Sequence, residues 1–268
     1  MSTIPHVIPW PSLVLLFLSA LGAGVINSMA GGGTLLTFPS LLAAGVSPVA
    51  ANATSTVALM PGSFSSGWAY RTELSRFSRA GIGWLMAASA LGGFLGATLV
   101  AVAGDALFRR MVPALILGAT ALFVVQGPLQ HLRERRAGIA SAAPASTFEG
   151  RHLLALVGAH FLVSVYGGFF GAGMGILILA ELGFAGLANI HQMNALKSFG
   201  AVLINLMATL AFLAGGQVQM RLAIVMAGGA ILGGWGGGKL AQRIGQRSVR
   251  WVVVAVGILT GLATLVRA

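Results

Sequence analysis

The sequence predicts an all-α polytopic integral membrane protein made of two inverted repeats, each interrupted by a re-entrant or broken helix at a Gly-rich turn. Three observations carry that expectation. The 268 residues are 57% hydrophobic and only 8% charged, with a mean hydropathy of +0.91, far from the composition of a soluble domain. A Gly-rich turn followed by an asparagine-led polar stripe occurs twice at one fixed offset. Basic residues gather in loops, and their bias moves by one loop between the two copies.

Along the chain, apolar runs fall at 10–29, 48–70, 80–103, 108–126, 153–170, 190–214, 222–239 and 249–266. They approach the roughly 20 residues that cross about 30 Å of hydrocarbon at about 1.5 Å per residue. The stretch 13–21 resembles the core of a secretory signal, but nothing before Arg71 is Lys or Arg. With no basic leader it is expected to stay in the mature protein. Two shorter runs, 33–44 and 175–187, are about 18 Å long as helix, too short to cross, and read as half-helices or re-entrant arms. The polar stretch 127–151 carries Arg133, Glu134, Arg135 and Arg136 and then Ala, Ser and Pro. It reads as a flexible linker between a first repeat, 1–126, and a second, 152–268.

The repeat is read in register. Ala30, Gly31, Gly32 and Gly33 match Ala172, Gly173, Met174 and Gly175 at an offset of 142 residues. With no gap, Asn52 then falls on Asn194, Ser55 on Lys197, Thr56 on Ser198 and Ser63 on Asn205. On a helix these positions share one face, and apolar residues fill the others.

Cytoplasmic loops carry an excess of Lys and Arg. Here the basic loops are 71–79, 127–151 and 239–250, while the turn 215–220 that corresponds to the first of them is uncharged. If all three basic loops are cytoplasmic, the two halves enter the membrane from opposite sides. Arg109 and Arg110 are the exception, on the expected outside. The formal charge of +11 would suggest nucleic acid in a soluble chain; in these short loops it sets orientation, and no nucleic acid partner is expected. The absence of cysteine excludes disulfides, thiol catalysis and Cys-based metal sites.

Inverted repeats with discontinuous helices place a site near the midplane, where half-helix N-termini direct positive dipole ends at an anion. Glycine lets the backbone turn tightly and a substrate approach its amides. Candidate substrate-binding residues are therefore Gly31, Gly32, Gly33, Asn52, Ser55, Thr56, Gly173, Gly175, Asn194, Lys197 and Ser198. Gly92, Gly93, Gly96 and the run from Gly233 to Gly238 read as helix-packing glycines instead. A lysine deep in a span costs about 2.5–3.5 kcal/mol on insertion scales. Lys197 therefore reads as an anion-attracting group, with a structural pair to Glu181 or snorkelling as the bland alternatives. The two asparagines suit oxyanions, and inter-helix hydrogen bonding competes with that role. His160 reads as a packing residue, and His191, at a helix start, is expected to face water.

The run from Ala30 to Pro39, then Gly45-Val46-Ser47-Pro48 and Asn52-Ala53-Thr54-Ser55, with Gly171 to Gly175 and Asn194-Ala195-Leu196-Lys197, resembles the sulfite exporter TauE/SafE family. The resemblance covers nearly the whole chain. It implies a multi-pass bacterial inner-membrane protein that moves small anions, typically sulfite, sulfoacetate and other organosulfonates, usually outwards. Copy two departs from symmetry, with Met174 in the glycine run, Glu181 opposite Pro39 and Lys197 opposite Ser55.

The expected function is transport of a small anion by alternating access, with a passive anion channel as the rival and no enzymatic activity. No cofactor or metal is implied. Coupling to protons or sodium is open, with Glu181 and Lys197 as the titrating candidates, and so is a homodimer.

Overall fold

The computed structural model describes residues 9–29, 32–69, 79–137, 150–187, 189–244 and 246–267. Every element among them is a helix: α1 (Trp10–Met29), α2 (Thr34–Ala43), α3 (Pro48–Ala69), α4 (Arg79–Ala137), α5 (Gly150–Phe169), α6 (Met174–Phe184), α7 (Ile190–Ala214), α8 (Met220–Ile244) and α9 (Gln246–Arg267). Four described stretches are long and apolar enough to cross a membrane, in α1, α4, α5 and α7.

α4 has 59 residues, roughly 90 Å if it ran straight, about three times a hydrocarbon core. It is broken at Gly104, with φ 68 and ψ 171, a conformation that only glycine adopts without strain. The break falls in the gap expected between the runs 80–103 and 108–126. Just beyond it, Asp105 Oδ1 accepts from Val49 N at 2.9 Å, taking one of the orphan amides that open α3. The second arm continues as helix to Ala137, so the expected linker over 127–151 starts inside α4. Residues 138–149, and residues 70–78 over which the first basic loop is expected, lie outside the described residues.

The short runs are short helices. α2 has 10 residues and α6 has 11, about 15 Å each. Each folds back on the helix before it. Ser19 Oγ lies 2.8 Å from Ser40 Oγ while Gly33 packs on Ala23, so α2 runs antiparallel to α1. In the second half His160 meets Glu181 and Gly167 meets Met174, so α6 runs antiparallel to α5.

Glycine sets the long crossings, because lipid supplies no hydrophobic drive between helices and close backbone contact must supply packing instead. A Cβ on Gly229 would fall 2.4 Å from Phe17 O, and one on Gly233 2.0 Å from Leu21 O; α1 and α8 therefore run parallel in near-contact. The first arm of α4 packs on α5 in the same way, with Gly92 against Phe161 and Ser164, and Gly96 against Val165 and Phe169. Gly92, Gly93, Gly96 and Gly233 thus pack helices as expected. The second arm of α4 and α9 run antiparallel, with Gly257 on Thr120 and Gly261 on Leu117. Between the halves, Phe38, Phe108 and Phe170 form an edge-on cluster, Phe38 and Phe170 with centroids 5.3 Å apart.

Candidate functional site

The two short helices begin at one cavity of about 70 Å³, room for roughly five waters. Gly32 and Thr34 bring the N-terminus of α2 to it, and Gly171, Met174 and Gly175 bring that of α6. α3 contributes Thr56, Leu59 and Ser63, and α7 contributes Lys197, Ser198, Ala201 and Asn205. Among the described residues, no acidic side chain lines it. Two helix N-termini, each equivalent to roughly half a positive charge, and one lysine give this space a positive field.

The two Gly turns differ in what their amides do. In the first half, Asn27 Oδ1 accepts from Gly32 N at 3.1 Å and Gly33 N at 2.8 Å, so a side chain of α1 caps α2. The corresponding position of the second half is Phe169, which offers no side-chain acceptor. α6 has no side-chain cap, and no protein acceptor takes up the Gly175 amide among the described residues. Gly173, with φ 76, turns the chain into α6, and Tyr166 Oη braces the turn by donating to Ala172 O at 2.6 Å. Asn27→Ala is expected to destabilise the protein by about 0.5–2 kcal/mol, the usual cost of a lost cap, read as a lower melting temperature in detergent.

Lys197 is 9% exposed, and no hydrogen bond or ion pair engages its ammonium among the described residues. Glu181 does not pair with it, being held by His160. Among the described residues, nothing engages the Ser198 and Thr34 hydroxyls either. Asn205 Nδ2 donates to Ser63 Oγ at 3.1 Å, joining the two stripes across the cavity through residues that correspond at the 142-residue offset.

Of the sequence candidates, Gly32, Thr56, Gly175, Lys197 and Ser198 line the cavity. Gly31 lies outside the described residues. Gly33 and Gly173 stand beside it, in the turns that shape it. Asn52, Ser55 and Asn194 do not line it. Asn52 is fully buried and donates through Nδ2 to Phe169 O at 2.9 Å, tying the first stripe to the backbone that leads into the second turn. Ser55 is held by Thr37 at 2.6 Å. Asn194, half-buried, sits three residues before Lys197 on α7. Sequence reasoning missed Asn27, Thr34 and Met174. For Asn27 a signal existed, an asparagine at a helix end just before a glycine run, but it has no counterpart in copy two and the repeat hid it.

His160 carries a constellation that its sequence surroundings do not announce. Its Nε2 lies 2.8 Å from Ser89 Oγ, its Nδ1 pairs with Glu181 Oε1, and its carbonyl accepts from Ser164 Oγ at 2.6 Å. These partners come from three helices. His191 is exposed at the start of α7, as expected, while Asn189 Oδ1 caps that helix through His191 N and Gln192 N.

Comparison with known proteins fits this architecture. Residues 16–264 match the family described as sulfite exporter TauE/SafE. The chain belongs to the TauE/SafE family. Among curated TauE/SafE-like relatives, a "Probable membrane transporter protein" of Haemophilus influenzae is 30% identical over 248 residues, covering 92% of each chain. The "Probable membrane transporter protein YfcA" of Escherichia coli K12 is 31% identical over 253 residues, 91% of this chain and 86% of that protein. The "Probable membrane transporter protein ORF9" of a Sinorhizobium species is 29% identical over 260 residues, 94% and 92% of the two chains. No solved structure matches the chain significantly. TauE/SafE membership makes this an integral membrane protein of a transporter family.

Proposed function

We propose that this protein carries a small oxyanion, of the sulfite or organosulfonate class, across the bacterial inner membrane. The anion is held in the cavity between the two Gly turns. One observation carries the reading: Lys197, buried and, among the described residues, unpaired, faces a cavity that no described acidic side chain lines and that receives two helix N-termini. An unpaired buried ammonium is costly, and an anion bound beside it removes that cost. The Gly175 amide and the Ser198 and Thr34 hydroxyls supply the donors that oxyanion oxygens accept. Family membership supports the class of function.

Alternating access fits halves related by inversion. Supporting it, the second arm of α4 and α9 occupy corresponding positions in the two repeats and pack antiparallel, with Leu117 against Gly261 and Thr120 against Gly257. Repeats related by an axis along the membrane normal would pack parallel there. The Ser63–Asn205 bond fits the same axis, which corresponding residues approach from both sides. In a chain with no cysteine, Thr72→Cys is expected to react with an impermeant thiol reagent from the cytoplasmic side. Gly216→Cys, in the corresponding loop, is expected to react from the opposite side. Labelling of both from one side contradicts inversion.

Transport itself is tested in proteoliposomes. Unlabelled sulfite inside the vesicles is expected to accelerate uptake of labelled sulfite, because a carrier returns faster loaded than empty. Flux without such acceleration makes the protein a channel instead.

A further inference from the structure

A buried hydrogen-bonded chain that the anion cavity does not use joins the first half to the second. Ser89 on α4, His160 on α5 and Glu181 on α6 are joined in that order, all at 9% exposure or less. Glu181 Oε2 is buried with no partner among the described residues. We propose that Ser89, His160 and Glu181 form a proton-binding site that couples proton movement to the anion carried beside Lys197, a proposal that rests on the carrier reading above.

The architecture does not require these side chains. The positions that correspond to them at the 142-residue offset are Ile231, Leu18 and Pro39, so the equivalent crossings are built without an ionisable group. Replacing a buried ionic pair by apolar residues is often neutral or stabilising. Packing alone therefore gives no reason to keep a His–Glu pair in one half.

The hydrogen bonds accommodate two protonation states. Ser89 Oγ lies 3.0 Å from Leu85 O and 2.8 Å from His160 Nε2, so its hydroxyl has two acceptors to turn between. With His160 neutral and its proton on Nδ1, Nδ1–H donates to Glu181 and the Ser89 hydroxyl donates to Nε2. When a proton adds to Nε2, that N–H donates to Ser89 Oγ and the hydroxyl turns to Leu85 O. One N–H bond forms on gain and breaks on release, and every imidazole N–H keeps an acceptor while Glu181 stays as the counter-charge.

The site also touches the anion-bearing helix. A methyl group at Gly200 on α7 would lie 3.3 Å from Ser89 Oγ and 3.4 Å from His160 Nε2, and Gly200 is about one turn beyond Lys197. A movement of α7 that changes access to Lys197 thus moves a wall of the proton site. Among the described side chains, the other titratable groups on these helices are accounted for. Tyr166 on α5 is committed to Ala172 O, and Lys197 faces the cavity. Arg151, His152 and His191 are exposed, as are Asp105, Arg109 and Arg110 beyond the break in α4. A Ser–His–Glu order also suits a hydrolase, but Ser89 is 0% exposed and does not line the cavity, so no carbonyl reaches it and a proton does.

The test uses proteoliposomes and isethionate, a sulfonate with no group titrating near neutral pH, with a pH-sensitive dye inside. An isethionate gradient is expected to shift the internal pH, and a pH gradient to drive isethionate uphill. Glu181→Gln and His160→Gln are expected to reduce both signals about tenfold or more, while isethionate counterflow and thermal stabilisation by isethionate persist. Independently of any anion, infrared difference spectra of the full-length protein between acid and neutral pH should contain a band that Glu181→Gln removes and Lys197→Met keeps. Absence of such a band overturns the proton site, whatever the anion does. So does a dye signal that survives in Glu181→Gln, or labelling of Ser89 by a fluorophosphonate. Failure of the carrier reading looks different: the wild-type protein is stabilised by none of the anions while the band remains.

Discussion

Lys197→Met is expected to weaken oxyanion binding roughly 30- to 1000-fold, the equivalent of about 2–4 kcal/mol for removing one partner of a desolvated charge pair. The same substitution is expected to raise the melting temperature of the anion-free protein. In that state Lys197 is a buried cation without a partner among the described residues, and methionine fills similar space without the insertion cost of about 2.5–3.5 kcal/mol. The opposite signs separate function from fold. A structural lysine, paired and supporting the helix, would lose stability on replacement and leave affinity alone. Melting curves of wild type and variant with and without sulfite measure both effects at once.

Gly168→Val is expected to cost about 3 kcal/mol or more, at the upper end for overpacking, and to deplete the monodisperse folded protein on purification. A Cβ there would meet Gly93 O at 2.1 Å and Gly93 Cα at 2.8 Å. Both obstacles are backbone, so no rotamer change relieves the clash and α4 must separate from α5. That separation also disturbs Gly93 against Ile204 on α7, and with it the helix that carries Lys197. Gly158, on α5 as well, has nothing within 4 Å of its Cβ position; Gly158→Ala is expected to leave folding unchanged, which makes it the control.

Much of this fold is legible in the chain because membrane helices announce themselves by length and apolarity. α1 and α7 coincide with the runs 10–29 and 190–214, and the break in α4 falls in the gap between two runs. The start expected for the linker, at 127, falls inside α4, which runs to Ala137. Arg133 to Arg136 look like loop by charge alone, yet Glu and Arg are good helix formers, and α4 continues through them. The site is legible where a single residue breaks the local rule. Lys197 in an apolar span and the glycines at the head of a short run needed no tertiary information. Asn27 reaches its amides from five and six residues away, and Ser89 meets His160 across 71 residues. These pairings arise from how helices cross, which neither spacing nor composition encodes. Ser55 shows the reverse: its alignment with Lys197 suggested a shared role, whereas Thr37 holds it at 2.6 Å away from the cavity.

The proposed carrier holds its oxyanion beside Lys197, between the two Gly turns. Selenite, a selenium analogue of sulfite, locates the site directly by anomalous diffraction from crystals of the full-length protein. A selenium peak is expected within about 4 Å of Lys197 Nζ, the distance left by a charge-assisted hydrogen bond to one of its oxygens, and close to the Gly175 amide. A peak elsewhere in the protein, with this cavity empty at saturating selenite, would contradict it.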